Sequence, residues 1–220
     1  MSSTNDFSPE SFFDLKDFSH PELFDGCETV WEVLPRIKEW LEGQKLGEIE
    51  TEIPEGAVLV DREKISIGKG TVVEPGCYIK GPCKIGKNGS IRQGAYLRGN
   101  VVAGEGCVIG HATEVKNALF LNGAKAAHFA YVGDSILGNG VNLGAGTKCA
   151  NLKFDGGPVT VYYEGGRVET ALRKFGAIFG DYSQTGCNAV TNPGTILGKR
   201  AACFPCSSVR GLIPAGKIFK

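Results

Sequence analysis

The chain has 220 residues, 24 basic and 24 acidic side chains and a formal charge of zero, so no global field draws it to nucleic acid or to an anionic membrane surface. Its start, MSSTNDFSPESFFDLKDFSH, is acidic and polar where a signal peptide needs a basic end and an apolar core, and no run of about 18 apolar residues follows. A cytoplasmic protein is expected, and its 32 glycines, about twice the usual share, need a repeated cause.

In chain order, the first twenty or so residues are expected to be poorly ordered. The stretch ETVWEVLPRIKEWLEG then spaces Val30, Leu34, Ile37 and Leu41 helically, with Trp31 and Trp40 flanking and Gly43 at the end. Pro35 is early enough to permit a kinked or late-starting helix. Residues 1–50 are read as an N-terminal extension with one helix, covering an end of the next domain or packing along it.

Residues 51–215 carry a repeat. Ile53 and Leu59 form an imperfect first coil, two residues out of phase with Ile67. Counting by six from Ile67 gives Val73, Ile79, Ile85, Ile91, Leu97, Ala103, Ile109, Val115, Leu121 and Ala127. A helix returns its apolar face at three and four and a strand at two, so period six fits neither. It fits a coil with three flat faces, each hexad giving a short strand and a bend, with stacked coils burying a core that no single coil closes. The small fifth-position residues Cys77, Cys83 and Cys107 suit buried packing thiols.

The frame then falters. From Ala127 the next in-frame position is Gly133, whereas the restored frame runs through Tyr131 and Leu137. A bulged corner between Ala127 and Tyr131 is expected to absorb the difference. A larger interruption, residues 154–174, alternates as VTVYY and RVET around GG and reads as a β-hairpin leaving the coil. The frame resumes as Phe179, Thr185, Thr191, Leu197, Cys203 and Val209, and 216–220 is a tail. Cys203 and Cys206 form a lone CxxC with no second pair or suitably spaced histidine, so no metal site is expected.

Around the faltering frame stand Glu114, Lys116, His128, Tyr131, Asn142 and Asn151. With a full coil of eighteen residues, a spacing of fourteen puts His128 on coils next to those of Glu114 and Asn142. Arg98, eighteen before Lys116, places two cations side by side, a costly arrangement that a phosphate would relieve. Histidine takes a proton near neutrality, the service that an ammonium needs before it attacks a thioester. No nucleophile elbow is present, so direct transfer is more natural than a covalent intermediate. The alternative reading of His128 is a corner residue with a satisfied hydrogen bond and no chemical role.

The segment from Arg98 to Asp155 resembles the left-handed parallel β-helix acetyltransferase domain of the bifunctional glucosamine-1-phosphate acetyltransferase and UDP-N-acetylglucosamine pyrophosphorylase family. The matching motifs are the Arg98 position, EVK at Glu114 to Lys116, AKAAHFAYVGDSILGNGVNLGAGT from Ala124 to Thr147, and Asn151. NLKFD, the hairpin, LRKFGAIFGD and NPGTILG look closer to the archaeal form.

The resemblance implies an all-β, left-handed parallel β-helix that forms a homotrimer and transfers acetyl from acetyl-CoA to an amino-sugar phosphate such as glucosamine-1-phosphate. It implies that His128 is the general base and that Arg98 and Lys116 hold the phosphate. It further implies that Tyr131, Asn142 and Asn151 bind sugar and that Glu114 orients the site, while the family's loop lysine has no aligned equivalent and Lys174 or Arg173 after the hairpin are the candidates for its place. Gly180, Asp181, Phe204 and Pro205 match the acetyl-CoA groove. Leu152 replaces the bacterial tyrosine, and Asp181, Phe204 and Pro205 replace small or hydroxyl residues. No Gly-rich nucleotidyltransferase segment is present. Two alternatives remain open at this point: acyl transfer to a sugar nucleotide, and a non-catalytic coil that partners a separate nucleotidyltransferase. The chain's three histidines, one of them before the coil, do not suit the zinc site of the trimeric carbonic anhydrases that share such a coil.

Overall fold

The computed structural model describes residues 6–220; the first five residues of the acidic start lie outside the described residues. The chain winds as a left-handed parallel β-helix with three ladders. The first face stacks Val58–Val60, Tyr78–Lys80, Tyr96–Leu97, the starts of Glu114–Phe120 and Tyr131–Leu137, Lys148–Cys149, Val190–Thr191 and Ser208–Val209. The second face runs from Ile65–Ile67 through 118–120 and 135–137 to Leu212–Ile213. The third runs from Val72–Val73 through Lys125–His128 to Ile218–Phe219. Alternation along each short strand turns one residue inward, so Ile79, Leu97, Val115 and Val132 from the first face meet Phe120 and Phe179 from the second and Ile109 and Leu143 from the third in one core.

The loss of frame has a different seat from the one the hexad count suggests. Tyr96 pairs with Glu114 eighteen residues on, but Glu114 pairs with Tyr131 and Tyr131 with Lys148, each seventeen on. The inner column runs Val115, Phe120, Ala126, Val132, Leu137 and Leu143. The missing residues fall at Asn117 and Asp134, whose φ values of 44° and 49° turn the chain from the first face to the second in one residue fewer. Asn and Asp tolerate that left-handed region better than most residues. Leu121 keeps the hexad count alive by coincidence, because it is buried in a second core outside the coil.

That second core is made by the N-terminal extension. Outward residues of the second face, Val102, Leu119, Ile136, Ile178 and Ile196, are apolar and covered by Phe12, Phe13, Phe18, Trp31, Leu34 and Ile37. The expectation of disorder before residue 20 does not hold for the described part: Phe12, Phe13 and Phe18 are buried. The acidic composition hid the signal, which is the density of aromatic residues. Among the described residues two α-helices lie here, a short α1, Pro9–Phe12, and α2, Val33–Glu42. Pro35 sits in the first turn of α2, where its missing N–H leaves no orphaned carbonyl, and Val33, Leu34, Ile37 and Leu41 form the buried stripe. Polar side chains at the coil edges fasten the extension: Asn117 donates to the Leu34 carbonyl, Asn122 to that of Asp17 and Asn139 to that of Asp14.

The inserted hairpin pairs Thr160–Tyr163 with Gly166–Glu169 and lies on the same face, burying Val159 and Val161. Gly194 and Gly211 seat it. A Cβ on Gly194 would lie 2.7 Å from Val159 Cγ1, and one on Gly211 would lie 2.5 Å from the Tyr162 carbonyl oxygen.

No disulfide links the eight thiols. Cys77, Cys83, Cys107, Cys149 and Cys203 are buried, whereas Cys187 and Cys206 are exposed, so the CxxC pair is split between inside and outside. Burial pushes the Cys83, Cys107 and Cys149 thiols from 9.0 up to about 12. The unfolded chain therefore releases these protons first. Their contribution is intact below pH 9 and is lost as pH climbs towards 12, at about 1.4 kcal/mol per pH unit and thiol. The melting temperature is expected to fall steeply between pH 9 and 11. At pH 8 a thiol reagent should titrate Cys187 and Cys206 rapidly and the five buried thiols only on unfolding; fast reaction of those five would contradict the packing.

Candidate functional site

The edge between the first and second faces carries one residue per coil in a column: Arg98, Lys116, Gly133, Ala150, Asn192 and Arg210. Arg98 and Lys116 are neighbours on successive coils, as their spacing suggested. Each has a carboxylate of its own. Arg98 Nη1 lies 2.7 Å from Glu114 Oε1, and Lys116 Nζ lies 3.2 Å from Asp134 Oδ2. The hydrogen bond to Glu114 holds the Arg98 guanidinium above its ordinary pKa. That pair is half exposed and contributes little to stability.

Asp134 is the residue the sequence reasoning missed. Its side chain is 7% exposed and its carboxylate accepts from Lys116, from Asn117 Nδ2 at 3.0 Å and, by a short contact, from Asn151 Nδ2. The available signal was an acid one ideal coil of eighteen residues after Lys116. The left-handed turn at Asp134 that shortens the coil also aims this carboxylate back along the edge.

Tyr131 joins the cluster. A Cβ on Gly133 would lie 2.5 Å from the Tyr131 hydroxyl and 3.0 Å from Asn151 Nδ2, so glycine is required between them. Burial raises the Tyr131 pKa, the negative charges of Asp134 and Glu114 raise it further, and the Asn151 hydrogen bond opposes them. Lys116, Asn117 and Asn151 thus meet on Asp134, Tyr131 stands beside them, and the Arg98–Glu114 pair lies next to Lys116, with Arg98 on the preceding coil.

His128 sits across the first face, on the edge shared with the third. It ends the strand Lys125–His128, pairs in register with His111, and its carbonyl accepts the Gly146 N–H. The pairing skips Ala127, whose carbonyl oxygen occupies the place a Gly110 Cβ would need, and Phe129 turns with φ 52°. The His128 side chain is exposed, and three residues separate it from Tyr131, roughly 10 Å of extended chain. His111, one coil earlier, differs: its Nδ1 lies 2.9 Å from the Gln93 carbonyl and its ring meets Phe129 edge-on.

The other sequence-derived residues are dispersed in a single copy. Asn142 is exposed on the third face beside Lys125 and Gln184. Lys174 is exposed after the hairpin. Gly180 and Asp181 lie at the edge between the second and third faces. There Asp181 is buried, and its carboxylate accepts from the Asp14 N–H at 2.7 Å and from Asn139 N at 2.7 Å and Nδ2 at 3.0 Å, fastening the extension. Phe204 and Pro205 lie on the edge that carries His128, with the Phe204 ring half exposed beneath Lys220. Among the described residues no three His, Cys, Asp or Glu side chains are grouped to hold a metal, and no helix is long and apolar enough to cross a membrane.

Comparison with known proteins gives this arrangement its relatives. The bifunctional sugar-1-phosphate nucleotidylyltransferase/acetyltransferase of Sulfurisphaera tokodaii is 36% identical over 177 residues, covering 80% of this chain and 43% of that protein. The bifunctional protein GlmU of Methanococcus aeolicus is 34% identical over 178 residues, covering 81% of this chain and 41% of that protein. The chain thus spans about two fifths of the length of these relatives. Among solved structures, the UDP-N-acetylglucosamine acyltransferase of Francisella novicida overlays with a TM-score of 0.44 at 16% identity, covering 76% of this chain and 67% of that one. The chain is a hexapeptide-repeat domain homologous to GlmU-type acetyltransferase domains, archaeal ones included. Residues 79–213, from the inward Ile79 of the first face to the inward Ile213 of the second, match one family model, and the chain belongs to that family, the GMPPB C-terminal domain.

Proposed function

We propose that the protein is an acyl-CoA-dependent transferase that acetylates the amine of an amino-sugar phosphate such as glucosamine-1-phosphate. The observation that carries this reading is the meeting of Lys116 and Asn151 on Asp134 beside Tyr131, with the Arg98–Glu114 pair on the adjoining coils and the exposed His128 across the same face. Lys116 and Arg98 retain N–H groups beyond those used by their carboxylates, and these bind the phosphate. Asn151, Tyr131 and Asn142 supply sugar contacts, Glu114 orients Arg98, and Lys174 closes on the acceptor. His128 takes the ammonium proton, and the freed amine attacks the thioester carbonyl; the C–N bond forms, the C–S bond breaks, and CoA leaves as its thiol.

Acetyl-CoA lies along the third face and its edges, near Gly180, Phe204 and Pro205, with Asp181 holding the edge in place rather than touching the donor. Because these groups are spread over two edges of one copy, a complete site needs the third-face edge of one chain against the first face of another. The second face is closed by the extension, which leaves those two faces for a closed three-fold homotrimer. Light scattering should report about three times the 23.4 kDa chain mass. A monomer would remove the shared site.

The direct test is acceptor-dependent thiol release from acetyl-CoA with glucosamine-1-phosphate, UDP-glucosamine, or no acceptor. Release with the first supports the reading, and release only with the second moves the acceptor to a sugar nucleotide. The pairing of Arg98 and Lys116 with carboxylates favours a second reading, a non-catalytic coil that partners a separate nucleotidyltransferase; release with neither acceptor selects it. For the phosphate contacts, Arg98→Gln or Lys116→Gln should weaken the phosphorylated sugar by about 1.5–3 kcal/mol, with little effect on the unphosphorylated one, read by calorimetry. Equal affinity of the unmodified protein for both sugars would cancel the phosphate assignment.

A further inference from the structure

The inserted hairpin does more than cover the second face. Where it overhangs the first-face edge it closes a pocket of about 420 Å³, two coils beyond Lys116 on the same column. The floor is Ala150 and Asn192, one wall is Tyr162 on the hairpin, and the rim is the loop carrying Leu152 and Phe154. Leu152 is 45% exposed and Phe154 wholly so, large apolar side chains at a pocket mouth with none of the described residues packed over them. Scattered exposed apolar residues need no explanation, but two converging on one cavity with an aromatic ring do.

The polar groups are few and convergent. The Arg210 guanidinium lies 4.2 Å from the centre of the Tyr162 ring and makes no ion pair among the described residues. Asn192 spends its Nδ2 on Ser208 Oγ and the Val209 carbonyl, which leaves Oδ1 as an acceptor on the floor. Asp155 lines the rim, its carboxylate shared between Lys153 at 3.2 Å and the Gly157 N–H at 2.9 Å.

The site is preformed. Gly194 and Gly211 let the hairpin backbone sit directly on the coil, and the rim loop is tied by Lys153 to the Pro158 carbonyl at 3.1 Å. A cavity organised in this way loses little freedom on binding.

We infer that this pocket binds a nucleoside phosphate, with its base against Leu152, Phe154 and Tyr162 and its phosphate on Arg210. A purely apolar ligand would leave Arg210 and Asn192 without partners, and a bare phosphate would leave the aromatic wall uncovered. A nucleotide supplies a planar face, ring N–H groups for Asn192 Oδ1, ribose hydroxyls for Asp155 and an anion for Arg210. The site is separate from the third-face groove assigned to the acyl donor, and it does not depend on the transferase reading.

The test is calorimetry on the full chain with UDP, ADP, uridine, inorganic phosphate and CoA. Saturable binding of a nucleoside diphosphate is expected, with uridine and phosphate each at least about tenfold weaker. Arg210→Gln, an exposed change, should weaken the diphosphate about tenfold and leave uridine unaffected. Tyr162→Ser should weaken both, with the melting temperature checked to show that the hairpin remains docked. Three results would overturn the inference: no saturable nucleotide binding at millimolar concentration, nucleotide binding unchanged by Arg210→Gln, or ADP displaced by CoA with the same affinities in wild type and Arg210→Gln.

Discussion

His128→Ala is expected to lower acceptor-dependent thiol release by about 10² to 10⁴ while leaving the fold untouched. The structural half rests on the position of the side chain. It is exposed at the end of a strand, and the contributions of residue 128 to the ladder, its register with His111 and its carbonyl bond to Gly146, belong to the main chain and survive the substitution. The chemical half rests on the reaction. An ammonium has no lone pair, so transfer slows by the full worth of a positioned base when none is present. His111→Ala is the control, because the His111 ring is already committed to the Gln93 carbonyl and to Phe129. Similar rates for wild type and His128→Ala, with equal melting temperatures, would leave His128 as a corner residue.

The coil was legible from Ile67 to Val115 because one residue in six pointed inward and its neighbours were polar or small. Legibility failed where a second layer covers the coil. Leu119, Leu121 and Ile136 are apolar because the extension lies over them, so inward and outward residues can no longer be told apart by type. The hexad count passed through Leu121 while the inner column had moved to Phe120. The phenylalanines before residue 20 were the complementary half of the same interface, a relation between distant segments that no local window contains.

The site was legible as chemistry more than as geometry. Spacing placed Arg98 beside Lys116, and the two are on successive coils. The expectation of uncompensated cations was wrong because Glu114 shares the strand of Lys116, and because Asp134 returns to Lys116 only through a left-handed turn. Asp181 was read by resemblance as a groove residue, yet its carboxylate faces Asp14 and Asn139. A carboxylate in a repeat protein can serve either the outer surface or an added segment, and only the fold shows which.

Asp134→Asn should destabilise the protein by about 2–4 kcal/mol, and a second substitution at Lys116 should recover most of that loss. Removing one member of a mostly buried pair strands the other: Lys116 is 20% exposed and has no other carboxylate within salt-bridge distance among the described residues. Asparagine keeps the left-handed turn, so the cost is electrostatic rather than conformational. Replacing Lys116 by Met as well removes the stranded cation, and the double variant is expected within about 1 kcal/mol of wild type. Urea denaturation of all four proteins closes the cycle, with an expected coupling of about 1.5–3 kcal/mol. The same carboxylate accepts from Asn117, which donates in turn to the Leu34 carbonyl of α2. The Asp134 variant should therefore show faster amide exchange in α2 than wild type. Lys116→Met alone should not, because it leaves the Asn117 contacts in place. Additive single-variant losses with no coupling, and unchanged exchange in α2, would mean that Asp134 neither compensates Lys116 nor ties the site to the extension.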